Sequence, residues 1–466
     1  MAQLEMTGDP VSRTLARFTH DLAYEDVPAV VRERSKYLML DGLGIALAAS
    51  TYPFAGTIRD GLVNLGDEGR CSVIGMDQKL NARDAVVMNG ALIHGLDFDD
   101  THMKAVVHAT AAALPTALVM ADKQNSSGQE FLVAYLLGME VAIRIGMAAN
   151  FGFHHRGFHA TGVVAHFAAA LIAGRLMGLD EDALAAAQGV VGSTAMASQE
   201  FVEDGAWNKR LHPGWAGVAG MTACALAETG FIAPTKPYEG RFGLFRSLLD
   251  LDEEELDLSV ITDGLGDHWE AVQSAIKPFP TCHFTHAIAD AALILKTQHN
   301  IDPDQITRIK TGIPAETIPV IAEPVANKLK PASDYDAKFS AQFIVAAALI
   351  RGRFGLAELE ENVLGDPDIL NLAKKVECNV DSRSPFPKYF SGGLHITMND
   401  GEIYDHYEGV NRGAGERALS EEEITDKFMA NATLAVSLDR AEMIRDAVTH
   451  ADQQPAGNLI RVLNGR

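Results

Sequence analysis

Several features are missing from the sequence, and their absence excludes some classes of protein before any motif is considered. The four cysteines form no CxxC pair and are far apart, at Cys71, Cys224, Cys282 and Cys378. This spacing excludes a disulfide framework and a zinc knuckle, and it is typical of a reducing compartment. Positive charge is also scarce, because 39 Lys and Arg residues stand against 62 Asp and Glu, for a formal net charge of −23. Such an acidic chain is not expected to bind nucleic acid or an anionic membrane surface.

Targeting and nucleotide-binding signals are missing as well. The N-terminus, MAQLEMTGDPVSRT, has no basic region followed by an apolar one, so no signal peptide is expected. The most apolar stretch, residues 131–147, contains Glu140 and Arg144, a pair that is costly in a bilayer and favourable inside a soluble helix. No glycine-rich phosphate loop follows a predicted strand, which disfavours nucleotide binding. We therefore expect a cytoplasmic protein that does not cross a membrane.

The first half of the chain has the pattern of a helical body. A length of 466 residues predicts two or three domains. Asn81, Ser127 and Asp180 are helix-start signals, each followed by a long apolar segment, and Pro213 is predicted to start another helix. Only CSVIGMDQKL, at 71–80, interrupts this pattern, and it predicts a small hairpin.

The pattern changes after residue 280. ITRIKTGI and KKVECNV predict strands, and GLHITMNDGEIYDHYEG predicts two strands joined by an Asn-Asp-Gly turn. Ser420 and Glu423 then form a capping box at the start of further helices. The predicted fold class is mainly α. An all-helical domain is formed by both chain ends, residues 1–275 and 413–466, and an α+β lid domain at 276–412 is inserted between them.

Histidine is concentrated at the ends of apolar helices. In HGLDFDDTH, at 94–102, Asp99, Asp100 and Thr101 taken alone would be a helix cap. Three other segments, however, add imidazoles and cations: FGFHHRGFHATG at 151–162, NKRLHPGW at 208–215 and IKPFPTCHFTH at 276–286. His166, inside an apolar helix, is expected to be a core residue. Four such junctions in an acidic protein indicate a functional site.

The spacing of these residues disfavours two kinds of site. His102 and His108 are six residues apart and His154 and His155 are adjacent, so neither of these two pairs has HxxxH spacing, and no metal is expected. Cys282 and His283 are neighbours whose side chains point apart, which disfavours a nucleophilic pair. What remains is a pocket of imidazoles and cations, which suits a small polyanionic substrate such as one with carboxylates. Lys and Arg would bind it, histidine would move a proton at the adjacent carbon, and Asp97 would fix a histidine tautomer.

The order of these motifs resembles the MmgE/PrpD family, which includes 2-methylcitrate dehydratase, cis-aconitate decarboxylase and iminodisuccinate epimerase. The motifs are DFDDT with a following histidine, GFHATG, NKRLHPG, KPFPTC and the hairpin with NDG. The resemblance runs from LMLDGLGIALA near residue 38 to SEEEITDKFM near residue 428. It implies a helical domain with an α+β lid, a homodimer and no cofactor.

The resemblance also implies site residues in the cleft between the helical domain and the lid. The motif positions for catalysis are Asp97, Thr101, His108 and His159. Those for binding the substrate are Lys209 and Lys277, to which their neighbours in the histidine-rich segments, His102 and Arg210, are added. One position departs, because Phe343 stands where dehydratase and decarboxylase members have a tyrosine, and Tyr335 is the nearby phenol considered as a substitute.

The leading hypothesis is a cofactor-independent lyase acting on a small di- or tricarboxylate, most like 2-methylcitrate dehydratase. His108 or His159 would remove the proton next to a carboxylate, and the other would assist the departure of hydroxide. Decarboxylation of the cis-aconitate type, or epimerisation of a dicarboxylate such as iminodisuccinate, needs the same anchors and stays open. An alternative of another class is a non-catalytic helical dimer with a relic pocket, although buried imidazoles and lysines without a task are destabilising.

Overall fold

The computed structural model describes residues 9–66, 68–249 and 257–464. Residues 1–8, on which the signal-peptide prediction rests in part, lie outside these ranges. Within them the chain is mainly α with a small α+β part, which confirms the predicted fold class. The division into domains at residues 275 and 412 stays a prediction.

The first part of the chain is a stack of helices with one short hairpin. The hairpin strands are β1 (Glu68–Val73) and β2 (Met76–Leu80), as the sequence predicts. The helices are α1 (Val11–Asp21), α2 (Ala29–Ala49), α3 (Pro53–Leu65), α4 (Ala82–His94), α5 (Ala109–Gln124), α6 (Gly128–Ala148), α7 (Gly152–His155), α8 (Ala160–Met177), α9 (Glu181–Val191), α10 (Phe201–Asp204), α11 (Asn208–Glu228), α12 (Leu244–Leu249) and α13 (Ser259–Thr262).

Side-chain caps start three of these helices where the sequence places them. The Asn81, Ser127 and Asp180 side chains each accept a hydrogen bond from the backbone N–H three residues later, which satisfies a donor that the helix leaves free. The prediction for Pro213 is wrong, because α11 begins at Asn208 and contains the proline. Burial of Lys209 in the first turn of α11 fixes that turn against the local proline signal.

Two helices in this part are long and apolar enough to cross a membrane by length and composition, α6 and α8. Most of each is buried inside the protein. α8 carries Ala or Gly at many positions, so α5, α6 and α11 pack closely around it. Arg144 pairs with Glu140 inside α6 at 2.6 Å, which confirms the ion pair expected there.

The α+β part contains one four-stranded sheet in the order β4-β3-β5-β6, with β3 parallel to β4 and antiparallel to β5. Its strands are β3 (Ile306–Ile313), β4 (Val376–Val380), β5 (Gly392–Met398) and β6 (Ile403–Glu408). The turn between the last two strands has Gly401 at a φ of 90°, a left-handed conformation that favours glycine. Its helices are α14 (His286–His299), α15 (Ile318–Ile321), α16 (Val325–Leu329), α17 (Asp334–Ala337), α18 (Ala341–Arg351), α19 (Glu361–Leu364) and α20 (Pro367–Ala373).

Three C-terminal helices pack back onto the first part: α21 (Glu421–Ala432), α22 (Leu438–Thr449) and α23 (Ala456–Leu463). Ser420 and Glu423 form the predicted capping box of α21. One hydrophobic cluster joins residues 11–276 with residues 419–463, and a second is drawn chiefly from residues 275–414. The two chain ends therefore share a core, and the segment between them has its own.

Candidate active site

A cavity of about 620 Å³ lies between these two parts, with walls drawn from residues 97–209 and 277–390. Six of the nine site residues singled out in the sequence line it: Asp97, Thr101, His108, His159, Lys209 and Lys277. All six are buried. They come from four separate helix junctions, so only the fold brings them together.

The other three predicted site residues do not line this cavity. The His102 Nε2 atom lies 3.4 Å from a carboxylate oxygen of Glu270. Arg210 donates a hydrogen bond to the Gly95 carbonyl, and its guanidinium stacks on the Tyr335 ring at 4.2 Å. Tyr335 is fully buried, and its hydroxyl has no hydrogen-bond partner among the described residues. Direct contact of these three with a substrate is therefore not supported.

Phe343 is also away from the cavity. It lies in the first turn of α18, fully buried in the core of the α+β part, and its backbone N–H donates to the Ser340 hydroxyl. A phenol at this position would not face the cavity in this geometry. The groups that line the cavity and can carry a proton include imidazoles and ammonium groups, whereas Phe343 does not line it.

Asp97 is the shared counter-ion of the two lysines. One carboxylate oxygen accepts hydrogen bonds from Lys209 Nζ at 2.9 Å and Lys277 Nζ at 2.7 Å, and Lys277 also donates to the Asp97 carbonyl. Burial disfavours the charged carboxylate, but the two ammonium groups outweigh burial and hold the pKa of Asp97 well below its usual value. Since an ammonium group has three donors, each lysine keeps at least one N–H for a ligand.

The prediction that Asp97 fixes a histidine tautomer is wrong, and Asp99 is placed for that task instead. An Asp99 carboxylate oxygen lies 2.9 Å from His94 Nδ1 and 3.4 Å from His108 Nδ1. His108 Nδ1 also lies 3.0 Å from the Asp100 carbonyl, which can only accept, so Nδ1 carries the proton. The lone pair of His108 is then on Nε2. Asp97 points elsewhere because its backbone is left-handed, with a φ of 51°.

His159 completes the imidazole cluster. Its Nδ1 lies 3.0 Å from His212 Nδ1, and its Nε2 is buried without a partner among the described residues. The ring stacks on His94 at 5.4 Å and meets Phe201 edge-on at 6.0 Å. His94 was not singled out from the sequence, although it opens the HGLDFDDTH motif. It is fully buried outside the cavity wall, where only the fold shows its contacts.

His108 and His159, two of the five histidines that line the cavity, are neutral in this environment. Burial lowers the pKa of His108 and of His159 well below the usual value near 6.5, and the Lys209 ammonium group adds to the effect at both. Burial likewise lowers the pKa of His212 to about 3. The cluster therefore presents uncharged imidazoles beside two ammonium groups, which suits an anionic ligand.

The folded chain brings together a possible metal-ligand set that spacing along the sequence does not show. His94, His108 and His159 offer nitrogen atoms within 4.8 Å of one another, and all three are buried. Two ammonium groups close by oppose a cation at this position. The expectation that the site uses no metal stays a prediction.

Backbone strain is concentrated at the same cavity. Six described residues other than glycine have a positive φ, and three of them are asparagines, which tolerate this conformation. The other three are Asp97, Val106 and Phe151, at φ values of 51°, 52° and 67°, and all three line the cavity. Strained backbone of this kind is typical of functional sites.

A cavity with neutral imidazoles, paired lysines and local strain between a helical body and an α+β part is typical of enzymes that move protons on small anions. Comparison with known proteins gives the family. The model of the MmgE/PrpD N-terminal domain matches residues 13–257, and that of the MmgE/PrpD C-terminal domain matches residues 279–453. The chain belongs to the MmgE/PrpD family, as the sequence motifs predict.

Several curated relatives are similar over nearly the whole chain. The cis-aconitate decarboxylase-like protein oryM of Aspergillus oryzae is 26% identical, over 98% of this chain and 97% of its own length. The cis-aconitate decarboxylase of Mus musculus is 27% identical, over 98% and 93%. The mitochondrial 2-methylcitrate dehydratase of Yarrowia lipolytica is 25% identical, over 89% and 81%. The activities named for these relatives support the lyase class and a carboxylate substrate, and they leave the type of lyase open.

Proposed function

We propose that the protein is a cofactor-independent carboxylate lyase and that its main reaction is decarboxylation of an unsaturated tricarboxylate of the cis-aconitate type. The observation that carries the proposal is the cavity itself, in which two neutral imidazoles, His108 and His159, face the same space as two lysines. The leading hypothesis from the motifs alone was dehydration. The relatives support decarboxylation at least as well.

In this mechanism Lys209 and Lys277 bind the carboxylates that stay on the substrate. Asp97 holds both ammonium groups in place, and their remaining N–H donors face the ligand. The carbon–carbon bond to the departing carboxylate breaks and CO2 leaves. The electron pair delocalises over the adjacent double bond and its carboxylate, where the ammonium groups stabilise the added charge. An imidazole of His108 or His159 that has taken up a proton from solvent then donates this proton to carbon, which forms the new carbon–hydrogen bond and returns the imidazole to its neutral form.

Two features of the site favour decarboxylation over dehydration. Loss of CO2 needs no base to remove a proton from carbon, whereas His108 and His159, with their lowered pKa values, are weak bases. A carboxylate also loses CO2 more readily when it leaves water for apolar surroundings. Phe201 and Phe339 provide such surroundings, since Phe201 lies 6.0 Å from the His159 ring and Phe339 lies 5.3 Å from Lys209 Nζ.

Dehydration of a 2-methylcitrate-like hydroxy acid is the second candidate. It is favoured by the similarity to the Yarrowia dehydratase and by the presence of two histidines, one to take a proton and one to assist hydroxide. Epimerisation of a dicarboxylate would use the same two residues. A non-catalytic dimer is the alternative of another class, and it predicts that no acid is converted.

The test is incubation of the protein with cis-aconitate, 2-methylcitrate, citrate, malate and iminodisuccinate analogues in heavy water, followed by proton NMR and CO2 measurement. Decarboxylation is expected to release one CO2 for each carbon–deuterium bond formed, and the ultraviolet absorbance of the conjugated alkene falls. Dehydration would raise that absorbance without CO2. Epimerisation would exchange the α-hydrogen with neither change.

Histidine variants separate proton transfer from binding in the same assay. His108→Gln and His159→Gln are expected to lower kcat by about 100-fold or more, with a smaller change in KM, because general acid–base catalysis contributes at least that much. His20→Gln, at an exposed histidine, is the control that is expected to keep full activity. Full activity in both cavity variants would refute the assigned proton transfer. Conversion of none of the acids by wild-type protein would refute the lyase proposal.

A further inference from the structure

The cavity is larger than a small tricarboxylate needs. It measures about 620 Å³. An acid of the size of cis-aconitate has about 12 non-hydrogen atoms. Each atom takes less space than the ~30 Å³ of a water molecule in the liquid, so the acid would occupy roughly 200 Å³. More than half of the space therefore stays unfilled when such an acid binds at Lys209 and Lys277. Cavities of this size accommodate ligands with more atoms than a tricarboxylate has.

The lining changes character from the buried end of the cavity to its opening. The deepest residues are charged or polar, with Asp97 and Lys277 fully buried. The exposed residues of the lining are at the opening, and they include Arg156, Glu200, Glu203 and Glu316. Buried aromatic rings also line the cavity, beside three further histidines, His154, His155 and His283. We call the aromatic part of the lining the aromatic middle section and the exposed charged residues the rim; the aromatic rings reach the polar base, because Phe339 lies 5.3 Å from Lys209 Nζ and Phe201 lies 6.0 Å from the His159 ring.

The aromatic middle section has two walls. On one side Phe284 and Phe390 pack edge-to-face at 4.8 Å, and Phe151 joins them through Phe386. On the other side Phe201 and Phe339 pack at 6.4 Å. Val320 lies against this second wall and is only partly buried. Apolar walls of this extent give no favourable contact to a carboxylate, and they stabilise a hydrocarbon group that leaves water.

The charges at the rim limit what the far end of that group can be. Arg156 contributes one positive charge, while Glu200, Glu203 and Glu316 contribute three negative charges, so these four groups sum to −2. A further carboxylate at the rim would meet this negative charge, whereas an uncharged chain end would not.

We propose that the site takes a polycarboxylate that carries an uncharged apolar arm, an alkyl or aryl substituent of several carbons, lying between the two aromatic walls. The inference rests on the proposed lyase function and names its substrate class. The carboxylates bind Lys209 and Lys277 at the base, and the arm extends towards the rim. No new chemical step is required, because the arm does not take part in bond making or breaking.

Binding of non-reacting analogues tests the inference separately from turnover. We would measure the Kd of succinate and of methyl-, butyl- and hexylsuccinate for wild-type protein by calorimetry. The Kd is expected to fall about fourfold for each methylene that enters the apolar section. An ω-carboxyhexyl analogue is expected to bind at least tenfold more weakly than hexylsuccinate, because its far end meets the glutamates. A Kd that stays flat or rises with chain length would overturn the proposal.

Val320→Trp is the variant that adds volume at the second aromatic wall, where Val320 packs against Phe201 and Phe339. It is expected to weaken hexylsuccinate binding at least tenfold and succinate binding much less, because succinate has no arm to be displaced. Val325→Trp is the matched control, since Val325 is exposed on α16 and outside the cavity. Circular dichroism checks the folding of both variants. Equal hexylsuccinate binding by Val320→Trp and wild type would also overturn the proposal.

The two proposals fail in different ways. If cis-aconitate is turned over and affinity does not rise with chain length, the apolar arm is refuted and the lyase function stands. If affinity rises with chain length and none of the acids reacts, with or without an arm, the lyase function is refuted and the apolar section stands. Alkyl-substituted aconitates complete the comparison, and their kcat/KM is expected to rise with the same slope as the affinity.

Discussion

Three carboxylates within four residues, Asp97, Asp99 and Asp100, have three different tasks because each side chain meets different partners. Asp97 is the counter-ion of two lysines, whereas Asp99 lies within 2.9 Å of the His94 imidazole and within 3.4 Å of the His108 imidazole. The Asp100 side chain accepts a hydrogen bond from the backbone N–H of Thr110 at the start of α5, so Asp100 stabilises the first turn of that helix. Burial, opposed in part by the Thr110 hydrogen bond and helped by Asp99, raises the pKa of Asp100 to about 7.

We expect Asp100→Asn to stabilise the protein at alkaline pH. The folded pKa of Asp100 lies above the unfolded value near 3.8, so its protonated form favours the fold. This contribution is fully present below about pH 4 and is lost as the pH rises through about 7. Asparagine resembles the protonated form and cannot ionise. Thermal unfolding should show Asp100→Asn gaining on the order of 2 kcal/mol over wild type at pH 8, relative to their difference at pH 4.

Asp99→Asn is the matched comparison for that measurement. The His94 and His108 imidazoles lower the pKa of Asp99 against the effect of burial, so its ionised form is the stabilising one. Asp99→Asn should therefore be less stable than wild type at pH 8. A stability gap between Asp100→Asn and wild type that does not change from pH 4 to pH 8 would contradict the raised pKa of Asp100.

The two lysines at the base of the cavity are expected to respond differently to truncation. Lys277 is fully buried and donates two hydrogen bonds to Asp97, whereas Lys209 donates one. Lys209→Ala and Lys277→Ala should each lower kcat/KM at least 100-fold through weaker carboxylate binding. The loss of unfolding free energy should be larger for Lys277→Ala, about 3 kcal/mol against about 1 kcal/mol.

Steady-state kinetics and urea unfolding of the same two lysine variants check this prediction, with Lys104→Ala as the control at an exposed lysine. Unchanged KM together with a large loss of stability would identify the lysines as structural partners of Asp97 only.

At the scale of elements, a C-terminal helix holds the segment that carries these carboxylates. Lys427, on α21, donates a hydrogen bond to the Phe98 carbonyl, between Asp97 and Asp99 in the chain. The same ammonium group lies 2.6 Å from Asp41 on α2 and over the Phe98 ring. Burial raises the pKa of Asp41 to about 6. The C-terminal helices are therefore linked to the site by one buried cation.

We expect Lys427→Met to loosen the site more than its distance from the cavity suggests. Removing the cation leaves Asp41 buried without its partner and frees the Phe98 carbonyl, at a cost of about 3 kcal/mol. The double variant Asp41→Asn/Lys427→Met removes the unpaired charge, so it should lose less unfolding free energy than Lys427→Met alone. The coupling energy between the two residues in this double-mutant cycle should be at least about 1 kcal/mol. Urea unfolding measures the cycle, and hydrogen exchange should increase at residues 96–102 in Lys427→Met. Additive stability losses would show that the pair contributes nothing.

At the scale of the whole molecule, one surface groove is unusually apolar. Leu65, Met196, Leu211 and Trp215 line it, and Leu65 and Trp215 are 84% and 63% exposed. An exposed apolar surface of this kind marks an interaction site in many proteins. The family resemblance implies a homodimer, and we propose that a second copy of the chain covers this groove.

Trp215→Glu tests that proposal. A charge in the groove should shift the protein from dimer to monomer in light scattering and sedimentation at micromolar concentration, because burying an unpaired carboxylate is costly. Phe242→Glu is the control, since Phe242 is 82% exposed and outside the groove. A monomeric wild type, or a Trp215→Glu variant that is still a dimer, would contradict the prediction.

The sequence alone determined the elements and the family. The four side-chain caps bond a backbone N–H only three residues later, so they can be predicted without knowing the fold; they are Asn81, Ser127, Asp180 and Ser420. The hairpin turns and the alternating strands are equally local. Pro213 does not mark the start of a helix, because α11 begins earlier, at Asn208. Lys209, in the first turn, is buried and contacts the distant Asp97, and this contact favours the helical turn that precedes the proline.

Only the tertiary structure decided which residues act together. Asp97 contacts two lysines that are 112 and 180 residues away in the chain, whereas Asp99 contacts His94 and His108. Asp97 and Asp99 are only two residues apart, so their positions in the sequence do not show that they have different partners. Tyr335 and Arg210 stack on each other outside the cavity wall although both are close in sequence to residues or motifs that were expected to form the site. The physical reason is that side-chain direction depends on backbone conformation and on long-range packing, and both are set when the two parts of the chain meet.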